Sequence, residues 1–258
     1  MLIVAGSDSG GGAGIQGDLK TVMALGGYGT TAITALTIQN SLGVRDVIPV
    51  SADAVRRQME AVLEDIGTDA VKTGMLVDGA IIAAVADTLA AKAPAAPLVV
   101  DTVMISKSGA ALLDPTAVET LKRRLIPMTA VLTPNIPEAE ALLGRRIDDP
   151  VQAARDLLAL GSKAVLLKGG HATGEDATDI LATADGIREF SAPRLPGPAA
   201  HGTGCALASA IAAGLAQGLA LGDAITRAKT FVHGAIKAAL ALGSGHPTLD
   251  HDWRNGQA

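Results

Sequence analysis

The sequence predicts an α/β fold in which helices cover both faces of a mostly parallel sheet. Short runs rich in β-branched residues alternate with longer helical patterns over the first two thirds of the chain. Such alternation is typical of parallel strands joined by crossover helices. In the last third, Asp185-Gly186 separates two short apolar runs, which predicts a small hairpin before two Ala-rich helices. No linker or low-complexity segment divides the 258 residues, so a single domain, 1–258, is predicted.

The elements follow from the local patterns in order. The predicted strands cover residues 2–5, 30–37, 47–50, 70–72, 98–101, 130–133, 164–168, 180–184 and 187–190. Helical patterns between them cover residues 15–25, 52–66, 80–92, 115–125 and 150–160. The polar segment 243–258 contains several glycines, and we expect it to be a loosely held surface tail.

Composition excludes several classes of protein. A hydrophobic fraction of 48% provides enough apolar side chains for a core, and the scarcity of aromatic residues makes that core aliphatic. The net charge of −5, with both signs interspersed, argues against nucleic acid or an anionic membrane as a partner. No apolar segment has the length of a membrane span. A single cysteine rules out an internal disulfide framework, and the sequence predicts a cytoplasmic protein.

One stretch, His201-Gly202-Thr203-Gly204-Cys205, combines glycines with the start of a long Ala-rich helical pattern. The first N–H groups of a helix lack intrahelical partners and attract anions, and glycine lets the backbone approach a ligand closely. Thr203 is predicted to cap this helix, and the field at the helix start favours a thiolate at Cys205. The structural alternative is a capped core helix with a buried cysteine.

Polar side chains follow three of the predicted strands. Asp101 ends one strand, Asn135 and Glu138 follow the next, and Lys168 ends a third. Ligands of open α/β sheets bind beyond the carboxyl ends of the strands, so this edge is predicted to hold Mg²⁺ and a polyphosphate. Each residue also has a structural alternative: Asp101 as a cap, Glu138 in a solvated helical turn and Lys168 in a surface ion pair.

Two nucleotide motifs and a zinc site are excluded. The run Gly10-Gly11-Gly12-Ala13-Gly14 follows a strand but has no Gly-Lys-Ser/Thr, so it is not a Walker-type phosphate loop. A dinucleotide fingerprint needs a third glycine where Ile15 stands. The five histidines show none of the spacings typical of zinc ligands.

The ordered series of motifs resembles the hydroxymethylpyrimidine/phosphomethylpyrimidine kinases of thiamine biosynthesis, in the ribokinase-like superfamily. The resemblance extends from residue 5 to about residue 240. It is carried by AGSDSGGGAGIQGDLK (5–20), TALTIQN (34–40), KTGML (72–76), DTVMISKSG (101–109), TPNIPEAE (133–140), KGGH (168–171) and HGTGC (201–205). The resemblance implies a three-layer ribokinase-like fold and, for an oligomeric state, a homodimer.

The resemblance implies that ATP with Mg²⁺ phosphorylates the hydroxymethyl group of an aminopyrimidine, and then the resulting monophosphate. Gly202, Thr203 and Gly204 would form the backbone anion hole, and Cys205 would face the acceptor hydroxyl as base or orienting group. The remaining roles implied by the resemblance are metal binding by Asp101 and Glu138 and ATP binding by Asn135 and Lys168.

The resemblance also assigns an acceptor pocket. Gln39 would bind the pyrimidine edge, because its carboxamide offers an acceptor and two donors to an exocyclic amine beside a ring nitrogen. Asp18 and Gly6 would face the same pocket, and the flexible Met75 thioether would pack on the ring. The structural alternatives are a solvated strand-end side chain for Gln39 and plain core for Met75.

The sequence departs from the family pattern at three places. Thr102 stands where the family usually has proline, Ile38 stands where a smaller residue is common, and residues 196–200 lack a usual Asn-Thr. These departures do not touch the residues assigned to catalysis. Two other functions stay open: a pyridoxal kinase of the same superfamily, because some close relatives phosphorylate that hydroxymethylpyridine, and a non-catalytic nucleotide- or pyrimidine-binding protein.

Overall fold

Nine strands form one continuous sheet in the part of the chain that the structure describes. The computed structural model describes residues 1–104, 112–169, 175–198 and 200–254. The strands are β1 (Leu2–Asp8), β2 (Thr30–Asn40), β3 (Gly43–Pro49), β4 (Val71–Thr73), β5 (Leu98–Val100), β6 (Val131–Leu132), β7 (Ala164–Leu167), β8 (Asp176–Thr183) and β9 (Gly186–Pro193). Their order across the sheet is β3-β2-β1-β4-β5-β6-β7-β8-β9. The six central strands are parallel to one another: β2, β1, β4, β5, β6 and β7. At the two edges, β3 and the β8–β9 hairpin pair antiparallel to their neighbours.

Helices form a layer on each face of this sheet. They are α1 (Gly14–Ala24), α2 (Ala52–Asp65), α3 (Gly79–Lys92), α4 (Ile136–Leu143), α5 (Pro150–Leu158), α6 (Thr203–Ala216) and α7 (Leu221–Lys237). One buried cluster includes Met59 of α2 and Leu142 of α4, and the other includes Val22 of α1 and Phe231 of α7. The predicted α/β architecture, with helices on both faces of a mostly parallel sheet, is confirmed. Within the described ranges, no helix has the length and apolarity to cross a membrane.

Strand β1 shows why the sheet is buried on both faces. Successive side chains of a strand point to opposite faces. Leu2 and Val4 accordingly belong to one core cluster, and Ile3 and Ala5 belong to the other. An apolar run without polar interruption is therefore required here, as expected for a parallel strand covered on both sides.

The segment 115–128, which contains the helix predicted at 115–125, is not one regular helix in the structure. It consists of a 3₁₀ turn (Pro115–Ala117), one α-helical turn (Val118–Thr120), a π-helical stretch (Leu121–Leu125) and a second 3₁₀ turn (Ile126–Met128). Pro127 has no N–H to continue an α-helical pattern, and its ring excludes the carbonyl of the preceding turn. Pro127 instead lies in the first positions of the second 3₁₀ turn.

The polar C-terminal segment packs onto the domain over its described residues, 243–254, contrary to the expectation of a loose tail. Thr248 and Leu240 exchange backbone hydrogen bonds of 3.0 and 2.8 Å, and His201 N donates to Pro247 O at 2.8 Å. Leu249 is buried, and the Trp253 indole packs against α7 where Gly234 leaves room for it. The polar composition of the segment conceals these few anchoring residues.

Candidate active site

The carboxyl edge of the parallel strands opens into a cavity of about 1210 Å³. Side chains that follow β5, β6 and β7 line one part of it, and side chains of β1, β2 and the loop after β4 line another. The start of α6 also lines the cavity, with Gly202 against the loop after β1 and Gly204 beside Lys168. The predicted edge is therefore where the chemistry-bearing residues meet.

A glycine in the left-handed region begins α6. Gly202 is the N-cap residue with φ +86°, and a Cβ at this position would lie 1.9 Å from Gly12 O. Only glycine satisfies both constraints. Thr203 is the first helical residue and no side chain caps the helix, so the prediction of a Thr203 cap is wrong. The first-turn N–H groups consequently remain available to an anion.

Gly204 brings the helix start close to two charged groups. A Cβ on Gly204 would lie 3.2 Å from Lys168 Nζ and 3.9 Å from Asp101 Oδ1. Lys168 Nζ donates to Asp101 Oδ1 at 2.9 Å and lies 4.0 Å from Glu138 Oε2. A lysine, two carboxylates and a helix N-terminus therefore converge on one small volume, as phosphoryl-transfer sites require.

Burial and charge pairing set the ionisation of this cluster. Burial alone would lower the pKa of Lys168, but Asp101 and Glu138 raise it above its ordinary value. Burial alone would raise the pKa of Asp101, but Lys168 and Lys72 hold it below its ordinary range. Burial raises the pKa of Glu138, and Lys168 opposes that effect. Lys168 and Asp101 are thus a charged pair at neutral pH.

A capping box holds Glu138 in place. Asn135 caps α4: its Oδ1 accepts from Glu138 N at 2.9 Å, and Glu138 Oε2 accepts from Asn135 N at 2.9 Å. Thr102 Oγ1 also donates to Glu138 Oε2, at 2.8 Å. The structural alternative placed Glu138 in a solvated first helical turn. Glu138 does lie in a first helical turn, but its side chain is buried rather than solvated.

Cys205 is a neutral thiol in this environment. Burial raises its pKa to about 12, Lys72 opposes the shift, and Asp101 and Asp18 add to it. The expectation that the helix field produces a thiolate is wrong, because desolvation and two carboxylates outweigh the dipole. Cys205 can orient an acceptor hydroxyl as a neutral group.

The opposite part of the cavity carries residues of the predicted acceptor pocket. Gln39, Met75 and Gly6 all line it. A Cβ on Gly6 would lie 3.2 Å from Met75 Sδ, so glycine leaves room for the thioether. Met75 is nevertheless largely buried, and a residue of the plain core would be buried in the same way.

Asp18 does not face the cavity. Its carboxylate is fully buried, where Oδ2 accepts from Lys72 Nζ at 2.7 Å and Oδ1 accepts from Ser209 Oγ at 2.7 Å. The assignment of Asp18 to the acceptor pocket is therefore corrected: Lys72 lines the cavity, and Asp18 holds Lys72 from behind. Burial raises the pKa of Asp18, whereas charge pairing raises that of Lys72 against the effect of its own burial.

Sequence reasoning misses three site residues: Lys72, Asp8 and His201. Lys72 lies within the buried strand β4, and a lysine buried there needs a carboxylate partner. Asp8 precedes a glycine-rich turn, where an aspartate commonly accepts N–H bonds from the next residues. His201 begins the motif at the start of α6, but its residue type alone indicates no separate role.

Comparison with known proteins identifies the family. The sequence model of the phosphomethylpyrimidine kinase family matches residues 8–250. The chain belongs to the phosphomethylpyrimidine kinase family. It is 48% identical to the hydroxymethylpyrimidine/phosphomethylpyrimidine kinase of Streptomyces coelicolor, with 100% of this chain and 96% of that protein covered. It is 50% identical to the thiamine biosynthesis bifunctional protein ThiED of Geobacter sulfurreducens, with 97% of this chain and 52% of that longer protein covered.

Solved structures of phosphomethylpyrimidine kinase and of pyridoxal kinase share this fold. A Bacillus subtilis pyridoxal kinase in complex with ADP matches with a TM-score of 0.90 and 36% identity, covering 98% of this chain and 97% of the other. The phosphomethylpyrimidine kinase of Clostridium difficile matches with a TM-score of 0.80 and 44% identity, covering 91% and 98%. The predicted ribokinase-like fold is confirmed.

Parts of two phosphomethylpyrimidine kinase motifs lie outside the described residues. They are residues 105–109 of the segment after Asp101, and residues 170–171 after Lys168. Gly169 is described: its N–H donates to Asp179 Oδ1 at 2.9 Å, and Asp179 Oδ2 accepts from Lys229 at 2.7 Å. This pair anchors the backbone immediately after Lys168.

Proposed function

We propose that the chain transfers the γ-phosphoryl group of ATP to the hydroxymethyl group of 4-amino-5-hydroxymethyl-2-methylpyrimidine, and then to the resulting monophosphate. Membership of the phosphomethylpyrimidine kinase family supports this reaction. ATP as co-substrate is supported by the ADP complex of a pyridoxal kinase with the same fold. The product pyrimidine pyrophosphate would serve thiamine biosynthesis, as the name of the bifunctional relative suggests.

The observation that carries the proposal is the placement of two different groups of residues in one cavity. The first set, which would bind phosphate, consists of the start of α6, Lys168 and the two carboxylates. Gln39 and Met75 line the same cavity and would form the acceptor side. Phosphoryl transfer depends on positioning and on charge stabilisation rather than covalent chemistry. A single cavity that presents anion-binding groups beside a ring pocket meets both needs.

Each residue then has a task. The N–H groups at 203–205 and the Lys168 ammonium would bind phosphate oxygens, on which charge is spread in the transition state. The Asn135 carboxamide lines the same region and would contact the nucleotide phosphates. The Cys205 thiol would orient the acceptor hydroxyl. Since the transition state of phosphoryl transfer is loose, the hydroxyl proton leaves late and a preformed thiolate is not required.

Magnesium fits the carboxylate pair. Among the hydrogen bonds of the described residues, Asp101 Oδ2 has no partner although it is buried, so it can accept a cation. Carboxylate oxygens are the ligands that Mg²⁺ prefers, and Mg²⁺ commonly takes one or two of them together with phosphates and water. We assign Mg²⁺ binding to Asp101 and Glu138. When bound, the ion would neutralise phosphate charge.

A second copy of this chain is the proposed protein partner. Exposed apolar side chains gather on the β2–β3 edge hairpin: Leu36, Ile38 and Ile48 are roughly half exposed, and Leu42 at its turn is more so. Leu36 and Ile48 face each other across the strands. An apolar edge hairpin is a surface that soluble proteins normally cover, which supports a homodimer. We place the enzyme in the cytoplasm, where ATP is available and a lone cysteine stays reduced.

The direct test is the rate of ADP formation with the hydroxymethylpyrimidine, with its monophosphate and with pyridoxal, measured in parallel. We expect both pyrimidines to be phosphorylated, with one ADP formed for each phosphoryl group transferred: one from the monophosphate, and two when the hydroxymethylpyrimidine is converted to the pyrophosphate. Binding of the pyrimidine without ADP formation would instead support a non-catalytic binding protein.

Pyridoxal phosphorylation is the second candidate activity. The observation in its favour is the match to a pyridoxal kinase structure with a TM-score of 0.90 over nearly the whole chain. A kcat/KM for pyridoxal above that for the pyrimidine would make it the main activity.

A further inference from the structure

A chain of three side chains connects the glycine-rich turn after β1 to the acceptor pocket. His201 Nε2 lies 3.1 Å from Asp8 Oδ2 and 2.8 Å from the Gln39 atom placed as Nε2. The backbone of Gln39 is fixed as well, because Ser9 Oγ accepts from its N–H and donates to its carbonyl. The orientation of the Gln39 amide is therefore determined by His201.

Asp8 accepts hydrogen bonds and does not donate one. Its oxygens already accept from the N–H groups of Gly10, Gly12 and Ala13 at 2.8–3.0 Å. Burial alone would raise the pKa of Asp8, but His201 and these N–H groups hold it below its ordinary value. The carboxylate is ionised, so the hydrogen in the 3.1 Å contact belongs to His201 Nε2.

That hydrogen fixes which amide atom of Gln39 faces His201. An amide nitrogen at this position would set two donors against each other, whereas an amide oxygen accepts from the shared Nε2–H. The other tautomer of His201 would set its Nε2 lone pair against the Asp8 carboxylate. Amide oxygen and nitrogen are assigned from such networks, so we exchange the two atoms of the Gln39 amide: Oε1 then faces His201, and Nε2 faces the cavity.

We propose that Asp8 and His201 are positioning residues that make Gln39 a hydrogen-bond donor to the substrate ring. The proposal rests on the proposed function, in which Gln39 lies in the acceptor pocket. A donor at this place selects a ring nitrogen, which has a lone pair, and does not bind the exocyclic amine of the pyrimidine. A hydroxymethylpyridine also offers a ring nitrogen, so Gln39 would not discriminate against it.

Gln39→Glu separates the two orientations, because a carboxylate accepts but cannot donate. We expect it to raise KM for the aminopyrimidine by more than about tenfold, since an acceptor would then face a ring lone pair. The matched control is Gln39→Leu, which removes the hydrogen bond without repulsion and should raise KM about three- to tenfold. A wild-type KM for Gln39→Glu would show that Gln39 accepts from the amine, and would overturn the proposal.

A substrate analogue without the exocyclic amine provides a second readout. The loss caused by Gln39→Leu should be the same with this analogue as with the aminopyrimidine, because the contact to the ring nitrogen is present in both. If the loss disappears with the analogue, Gln39 binds the amine and the proposal fails.

The positioning role of His201 is tested by His201→Phe and His201→Gln. Phenylalanine keeps a ring but has no N–H, and we expect a roughly three- to tenfold higher KM for the pyrimidine with an unchanged KM for ATP. Glutamine can place an N–H where Nε2 lies, and we expect it to restore most of the loss. Equal KM values for wild type and His201→Phe, or failure of glutamine to rescue, would overturn the role.

Nitrogen-15 NMR of the His201 imidazole is independent of catalysis. A proton on Nε2 is expected in the free protein, and a ring protonated at Nδ1 alone would overturn the proposal. Absence of pyrimidine phosphorylation by the wild type would instead refute the proposed function, while the NMR result would still decide the orientation of the amide.

Discussion

The buried Asp18–Lys72 pair leads to a quantitative prediction about stability. Both side chains have no exposed surface, and the two residues lie 54 positions apart in the sequence. Removing one partner of such a pair leaves an uncompensated charge, which costs roughly 3–5 kcal/mol. We therefore expect Asp18→Asn to lower the free energy of unfolding by about 3–5 kcal/mol. For a chain of this size, the expected drop in Tm is roughly 6–20 °C.

Denaturant unfolding at pH 7 measures this loss, and a double variant identifies its cause. Asp18→Leu with Lys72→Met removes both charges, so we expect it to be more stable than either single variant. The control is Lys92→Met, which breaks an exposed ion pair with Glu64 and should change stability little. A loss below about 1 kcal/mol for Asp18→Asn would refute the view that this pair carries buried charge.

Four further predictions concern the site and the edge hairpin. Because the Cys205 thiol has a pKa of about 12, its alkylation by iodoacetamide at pH 8 should be slower in the native than in the unfolded protein, and an equal rate would contradict the assignment. Gly204→Ala should lower kcat/KM by more than about tenfold with little change in Tm, whereas Gly202→Ala should lower Tm as well, as activity assays and calorimetry will show. Thr102→Val should reduce kcat/KM for ATP about three- to tenfold and Thr102→Ser should restore it, while a full-rate valine variant would leave Thr102 without a role. Leu36→Lys should give a monomer in sedimentation experiments, provided that the wild type sediments as a dimer.

The sheet edge that carries the site could be predicted because apolar runs mark where strands end. Asp101, Glu138 and Lys168 each follow such a run, and parallel strands end at the same edge. Their convergence therefore follows from topology without knowledge of any contact. The distances between them, and the hydrogen bond of Thr102 to Glu138, depend on loop geometry that no periodicity encodes.

How deeply a side chain is buried, and whether it is ionised, could not be predicted in the same way. The position of Asp18 on α1 is clear from the helical pattern, but its separation from the cavity depends on Lys72, which lies on another element. Similarly, the helix start at Cys205 suggests a thiolate, whereas the pKa is decided by desolvation and by carboxylates brought in from distant strands. Thr203 has the residue type of a cap, yet Gly202 occupies that position because the chain must pass close to Gly12.

The strand order of the sheet also determines how far apart the two ends of the candidate active site lie. Neighbouring strands are about 4.8 Å apart, so the backbone after β5 lies about 10 Å from the β1 backbone and the backbone after β7 about 19 Å from it, although the Lys168 side chain extends back to Asp101. Ring, acceptor oxygen and nucleotide phosphates would then lie in sequence across the strands rather than along them. In the proposed second step the reactive oxygen of the monophosphate would have to reach the same point, so the ring would lie farther toward β1 and β2 by the length of one phosphate group. Under this arrangement, the room beside Met75 would decide whether the second phosphorylation can follow the first.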